Sequence, residues 1–422
     1  MASEGKNRIA YLVTSFVLLL FLGLIYAWSV FIGPLEGEFG WARSQTSVTF
    51  TISMIGFCVG NLASGTITPR TSPRVSILIA AACAAAGFAA SSFTTSLLWI
   101  YVSYGVFCGF AVGLGANCAL STALKWFPDR QGLASGALLM GFGLGSLVFS
   151  TPVTMLLSSL GWRTTFRVLA VVFGALLVLG ALILRNPSAE WSAAMVAKAR
   201  QGGKVAQHDF TTPEMLRSPA FWVFMLWIIF VTSVGLALIS NAVPAAEAVL
   251  MAQPGADAAA ATLMATTAMG TISGFNGLGR LSAGFFWDRF GFRATLIFVS
   301  GGMVLSMAAC LLADMSLSFP LIVVGFVLLG LAYGGSMSSC SAMIGSFFGT
   351  KHYSLNYGIA SCNLIVASLI GPTILSALLD SSGGYFSSFA VFLGFAAVSF
   401  VLLFFVRRPK DPVRPEGSEE VQ

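Results

Sequence analysis

Twelve apolar runs, each roughly 20 residues long, constrain this chain more than any other feature of its sequence. Inside a bilayer the backbone finds no water to bond, so each run must close its hydrogen bonds within itself as an α-helix. The runs lie near 9–34, 44–66, 74–94, 97–124, 132–158 and 162–185, then near 219–249, 258–285, 293–315, 319–345, 355–378 and 384–406. Composition agrees, since 57% of residues are hydrophobic and 9% charged, against about 25% charged in soluble domains. The expected fold is an all-α membrane protein of two pseudo-symmetric six-helix bundles, at 1–185 and 218–408. A polar linker at 186–217, carrying one short surface helix, joins them, and a tail at 409–422 follows.

Lys6 and Arg8 precede the first run as they would in a signal peptide. That run continues for about 25 residues without a small-residue cleavage site, so it is expected to remain as a helix. Placing both termini and the even-numbered loops on one side gathers eighteen basic residues there, among them Lys6, Arg70, Arg130, Lys204, Lys410 and Arg414. The other side receives Arg43, Arg163 and Arg167. This asymmetry marks the first side as cytoplasmic. The net charge of +6 is therefore a topology signal and points to no nucleic acid.

Arg280 is the exception, a basic residue well inside an apolar run. Insertion scales put an Arg at a helix centre at roughly 3 kcal/mol unfavourable, so such a residue normally faces a wet cavity on a substrate path. The two halves also repeat. Gly65 to Arg74 follows the second run as Gly284 to Arg293 follows the eighth, with Pro69 and Ser72 replacing the acid and second glycine of the later copy. The same offset sets Arg280 opposite Asn61, and parallel halves place a substrate site at mid-membrane between them. That site is expected to be asymmetric.

Gly284-x-x-x-Asp288-Arg289-x-Gly291-x-Arg293 resembles the loop signature of the major facilitator superfamily. Five further blocks narrow the resemblance to its monocarboxylate porter and oxalate:formate antiporter branch. They are Tyr26-Ala-Trp28-Ser through Arg43, Trp126-Phe-Pro-Asp129-Arg130 through Gly136, Pro213 through Trp222, Asn276-Gly-x-x-Arg280, and Asn356-Tyr-Gly358. The resemblance implies that Arg280 binds the substrate carboxylate, as its planar and permanently charged fork is suited to do. Charges at helix ends on the cytoplasmic face can pair with a neighbouring helix terminus or charge and hold the bundles shut, so Asp288, Arg289, Arg293, Asp129 and Arg130 are assigned to a conformational gate, with a plain topology role as the alternative.

Two departures refine this reading. Oxalate carriers place a lysine eight residues after the Asn of the Asn-Tyr-Gly block, where this chain has Leu364. A dianion would leave one carboxylate unpaired and desolvated, so a monocarboxylate such as L-lactate or pyruvate is expected. Animal porters place an aspartate one turn before the Arg, where this chain has Asn276. Asparagine can bond substrate from that face but cannot titrate, so a coupled proton must ride elsewhere. Asp257 is the first candidate and Glu247 the second, although helix rise puts Asp257 about 35 Å from Arg280.

Asn117, Tyr26, Trp28, Tyr333 and Cys362 are further candidates for the substrate cavity, each with packing as the plainer alternative. Asn241, Ser338 and Ser339 are weaker, and Gly141-x-Gly143-x-Gly145 suggests close backbone packing. The seven cysteines lie in apolar runs without metal-ligand spacing. No nucleophile with a base and no phosphate loop stands out, so neither an enzyme nor a cofactor is expected. The expected function is proton-coupled symport of a small monocarboxylate by a monomeric unit, with an anion exchanger of the oxalate or formate type as the alternative.

Overall fold

A computed structural model describes residues 2–409, without the side chains of residues 2–7, 43 and 44. The side chains of Lys6 and Arg43 therefore lie outside what is described, as do Lys410, Arg414 and the rest of the tail after Pro409. Ten continuous stretches are long and apolar enough to cross a membrane: Arg8–Phe39, Gln45–Arg70, Pro73–Ser91, Leu97–Lys125, Gln131–Ile183, Pro219–Met251, Ala258–Ser316, Phe319–Phe348, Tyr353–Ser382 and Tyr385–Phe405. Two of them, of 53 and 59 residues, are each a pair of helices joined by a single glycine. Gly161 turns the first with φ 73° and Gly291 the second with φ 84°, a left-handed geometry that a side chain would strain. Counted this way, the described residues hold twelve apolar spans, which we number 1 to 12 in order.

Gly291 is the second glycine of the loop signature. Its counterpart Ser72 sits in extended backbone at φ −161°, and its hydroxyl accepts from Val75 N–H as a helix cap. The first copy of the loop therefore turns without a left-handed residue, which is how it tolerates the lost glycine.

The linker holds two helices, Ala189–Gln201 and Thr212–Arg217, where one was expected. It is anchored to the second half. Asp209 bonds Arg200 at 2.6 Å and accepts from Thr350 N–H at 2.9 Å, while Asn356, fully buried, accepts from Thr212 Oγ1 and donates to the Phe210 carbonyl. Lys204 reaches the first half, donating to the Asp129 carbonyl at 3.0 Å.

The halves meet closely on the linker face. A Cβ on Gly284 (span 8) would lie 2.2 Å from the Gly132 carbonyl (span 5), and one on Gly65 (span 2) would lie 2.4 Å from Leu355 Cα (span 11). Small residues let these backbones touch and dispersion contacts accumulate. Among the described residues, the hydrogen bonds joining the halves lie between the depth of Arg280 and the linker face. Toward the opposite face the halves part around a cavity.

Candidate substrate site

Arg280 is 5% exposed and stands between two chambers. The outer one, about 450 Å³, is lined by Tyr26 and Phe50 of the first half and by Ile272, Asn276, Tyr333 and Ser368 of the second. The inner one, about 40 Å³, lies against Asn61, Asn117, Phe142, Tyr357, Asn363 and Leu364. That suffices for a small polar group or a few waters. Both walls are mostly apolar, and Arg280 is the one charged residue lining either chamber among the described residues.

The guanidinium is held from both halves. Its Nε donates to Asn276 Oδ1 at 3.0 Å, one turn earlier on the same helix face. Its Nη1 donates to the Leu139 carbonyl of span 5 at 2.5 Å. An arginine has five N–H donors, so three remain for an anion. Gly143 makes this position possible, since a Cβ there would lie 2.9 Å from Arg280 Cζ. Of the neighbouring glycines, Gly141 packs on Phe16 and Gly145 on the Gly23 backbone. The glycine run thus serves helix contact at two positions and the arginine at the third.

The remaining expected residues divide by place. Tyr26 lines both chambers and Tyr333 the outer one. Asn117 lines the inner chamber, but its Nδ2 donates to the Asn61 and Ser354 carbonyls at 2.8 and 2.9 Å, tying span 4 to spans 2 and 11. Trp28 is buried away from both chambers, donating to the Thr46 carbonyl and packing on Tyr104. Cys362 donates to the Gly358 carbonyl at 3.5 Å and lines neither chamber, whereas its neighbours Ser361 and Asn363 line the inner one. Asn241 kinks span 7, at φ −124° and ψ 15°. Ser338 Oγ donates to the Arg280 carbonyl and Ser339 Oγ to the Gly335 carbonyl. Asp257 is an exposed helix cap accepting from Ala260 N–H at 3.1 Å, and Glu247 lies near Tyr385. Neither acid reaches a chamber wall.

On the linker face, Asp288 caps span 5 across the interface, its two carboxylate oxygens accepting from Gly132 N–H at 3.0 Å and Leu133 N–H at 2.7 Å. A carboxylate at a helix start satisfies orphan donors and the positive end of the helix dipole together. Arg289 is exposed, Arg293 lies over the Phe292 ring at 5.8 Å, and Asp129 pairs with Arg8 at 3.4 Å beside an exposed Arg130. Asn61, Tyr357, Asn363 and Leu139 complete the site without having been expected in it. Tyr357 belonged to a recognised block, whereas a backbone carbonyl such as that of Leu139 carries no side-chain signal.

Two six-helix bundles, joined on one face and parted on the other around a buried cation, define a multi-pass membrane carrier. The sequence matches the Major Facilitator Superfamily over residues 12–283 and 236–422, and the chain belongs to that family of transporters. It is 28% identical to the oxalate:formate antiporter of Oxalobacter formigenes over 407 residues, covering 94% of this chain and 92% of that one. Monocarboxylate transporter 12 of Xenopus laevis is 24% identical, with 76% and 72% covered. Among solved structures, the proton:xylose symporter XylE superposes with a TM-score of 0.72 at 16% identity over 95% of this chain and 96% of its own. The Escherichia coli fucose:proton symporter gives 0.64 at 13%, over 95% and 99%.

Proposed function

We propose that the chain carries a small monocarboxylate, such as L-lactate or pyruvate, across a bacterial inner membrane by alternating access as a monomeric unit, with a proton. The observation that carries this reading is Arg280, which among the described residues is the one cation lining the two chambers and has three N–H donors without a protein partner. Its fork can hold one carboxylate through two parallel hydrogen bonds. Asn276, which already orients the fork, is placed to bond the same carboxylate or a neighbouring hydroxyl. Tyr26 and Tyr333 supply apolar walls suited to a short aliphatic chain.

A second cation would be needed for oxalate, and Leu364 stands in the inner chamber where oxalate carriers have lysine. Binding a single negative charge neutralises the site for its passage between faces. The linker face is then cytoplasmic, in keeping with its basic residues.

Anion exchange is the second reading, favoured by the absence of any carboxylate from the two chamber walls among the described residues. Asp257 and Glu247 are left as proton acceptors at a distance from the site. Uptake of labelled L-lactate into proteoliposomes separates the two readings. Accumulation driven by an inward proton gradient, lost in Arg280→Lys, supports symport. Uptake that ignores the gradient and requires an internal anion supports exchange, and no lactate uptake in either mode removes the substrate assignment.

A further inference from the structure

Spans 7 and 12 pack side by side, and their linker-face ends frame a groove of about 660 Å³. Span 7 starts at Pro219 and span 12 stops at Phe405, so the groove straddles the level at which the chain leaves the apolar layer. Within the spans its wall is apolar, formed by Ala220, Val223 and Phe405, and beyond them it is rimmed by Arg217, Arg407 and Arg408. Trp222 marks the level, its ring 53% exposed and its Nε1 donating to the Leu216 carbonyl at 2.8 Å. Tryptophans with an apolar body outward and the polar edge satisfied gather in the headgroup zone of a bilayer.

The rim carries uncompensated positive charge. Arg217 and Arg407 are exposed and make no hydrogen bond, ion pair or ring contact among the described residues, and Arg408 lies over the Phe347 ring at 5.8 Å. Glu214 is the one acid in the wall, and its Oε2 already accepts from Thr211 N–H at 2.7 Å and Thr211 Oγ1 at 2.9 Å, with His208 3.3 Å away. Exposed arginines hold a free ion weakly in water. Beside a bilayer the acyl chain delivers the anion to this level, and each basic residue adds to the attraction. The guanidinium forks suit the oxygens of a phosphate diester, while the adjoining apolar wall suits a hydrocarbon chain on the same molecule.

We propose that this groove holds an anionic phospholipid, its phosphate between Arg217 and Arg407 and the first part of one acyl chain along Val223 and Phe405. Arg217 ends the linker and Arg407 follows the last span, so one lipid fastens both chain ends of the second half to that bundle. Every group involved belongs to the second half or to the linker, away from Arg280, so the lipid binds whichever anion is carried.

The test uses the full chain, delipidated in a neutral detergent. Phosphatidylglycerol, compared with phosphatidylcholine of the same acyl chains, is expected to raise the thermal midpoint by about 2–4 °C and to stay bound as a single lipid in native mass spectra. Arg217→Gln combined with Arg407→Gln should weaken binding, roughly fivefold for each cation removed, and abolish the rise. Both side chains are exposed, so the variant should fold, and its midpoint in phosphatidylcholine checks this. Arg70→Gln combined with Arg185→Gln removes the same charge elsewhere on the linker face and should leave the rise intact. Glycerol phosphate, which has the headgroup chemistry without the chains, should have no effect. A rise as large with glycerol phosphate would assign the rim to a free phosphate and overturn the proposal. Equal midpoints in the two lipids would overturn it as well, as would a rise that survives the Arg217 and Arg407 substitutions or is lost equally in the control pair.

Discussion

At the scale of single residues, the site depends on how a guanidinium is kept in place without its charge being consumed. Gly143 is the sharpest case, because the Cβ of an alanine there would lie 2.9 Å from Arg280 Cζ and 3.0 Å from Nη1. The obstructed atoms are the far end of a flexible side chain, so the protein should fold and the fork should swing off its bond to Leu139. Gly143→Ala is therefore expected to raise KM for monocarboxylate uptake about tenfold, roughly the loss of one charge-assisted hydrogen bond, with little change in thermal midpoint. Steady-state uptake with a parallel unfolding curve checks both halves of the expectation.

Leu364 tests selectivity from the opposite direction. It shares the inner chamber with Arg280, so Leu364→Lys places a second cation there. Oxalate should then inhibit monocarboxylate uptake in the variant at concentrations without effect on the unmodified chain. Equal inhibition of both proteins would show that the second charge is not what separates mono- from dicarboxylate.

Among elements, the junction of spans 5 and 8 is the clearest closure on the linker face. Gly132 and Gly284 bring the backbones together, and Asp288 supplies the acceptors that span 5 lacks at its own start. Removing a helix cap costs about 1 kcal/mol, and here that loss falls on one conformation alone. Asp288→Ala should shift the population toward a linker-face-open state by about fivefold, read as faster hydrogen exchange at Gly132 and Leu133. Unchanged exchange there would mean that glycine packing alone keeps the face shut. The linker acts at the same scale, since Asp209 fixes it to the start of span 11 and Lys204 reaches across to Asp129.

For the molecule as a whole, the sequence makes the number of crossings and the doubling of the halves legible, because hydrophobic length and repeat spacing are direct consequences of a bilayer and a duplicated bundle. Arg280 and Asn276 were legible for a related reason: a charge in an apolar span has few tolerable surroundings, and an amide one turn away shares its face. Trp28 was not, since an aromatic residue near a recognised motif reads the same whether it faces a cavity or, as here, packs on Tyr104. The pairing of Arg280 with the Leu139 carbonyl depends on which backbones meet across the two halves. No local pattern encodes that meeting.

The bond between Arg280 Nη1 and the Leu139 carbonyl has a kinetic consequence. It crosses from one half to the other, so the empty carrier is strapped by the group that would receive its cargo. A carboxylate on the remaining donors shares the guanidinium's charge with the Leu139 carbonyl and so weakens the strap without replacing it, while an empty site leaves it at full strength. Reorientation without cargo is then the slow half of the cycle, and one-for-one swapping of labelled for unlabelled anion should outrun net uptake severalfold, whatever ion accompanies the net movement. Equal rates in the two assays would mean that the strap breaks as readily empty as loaded.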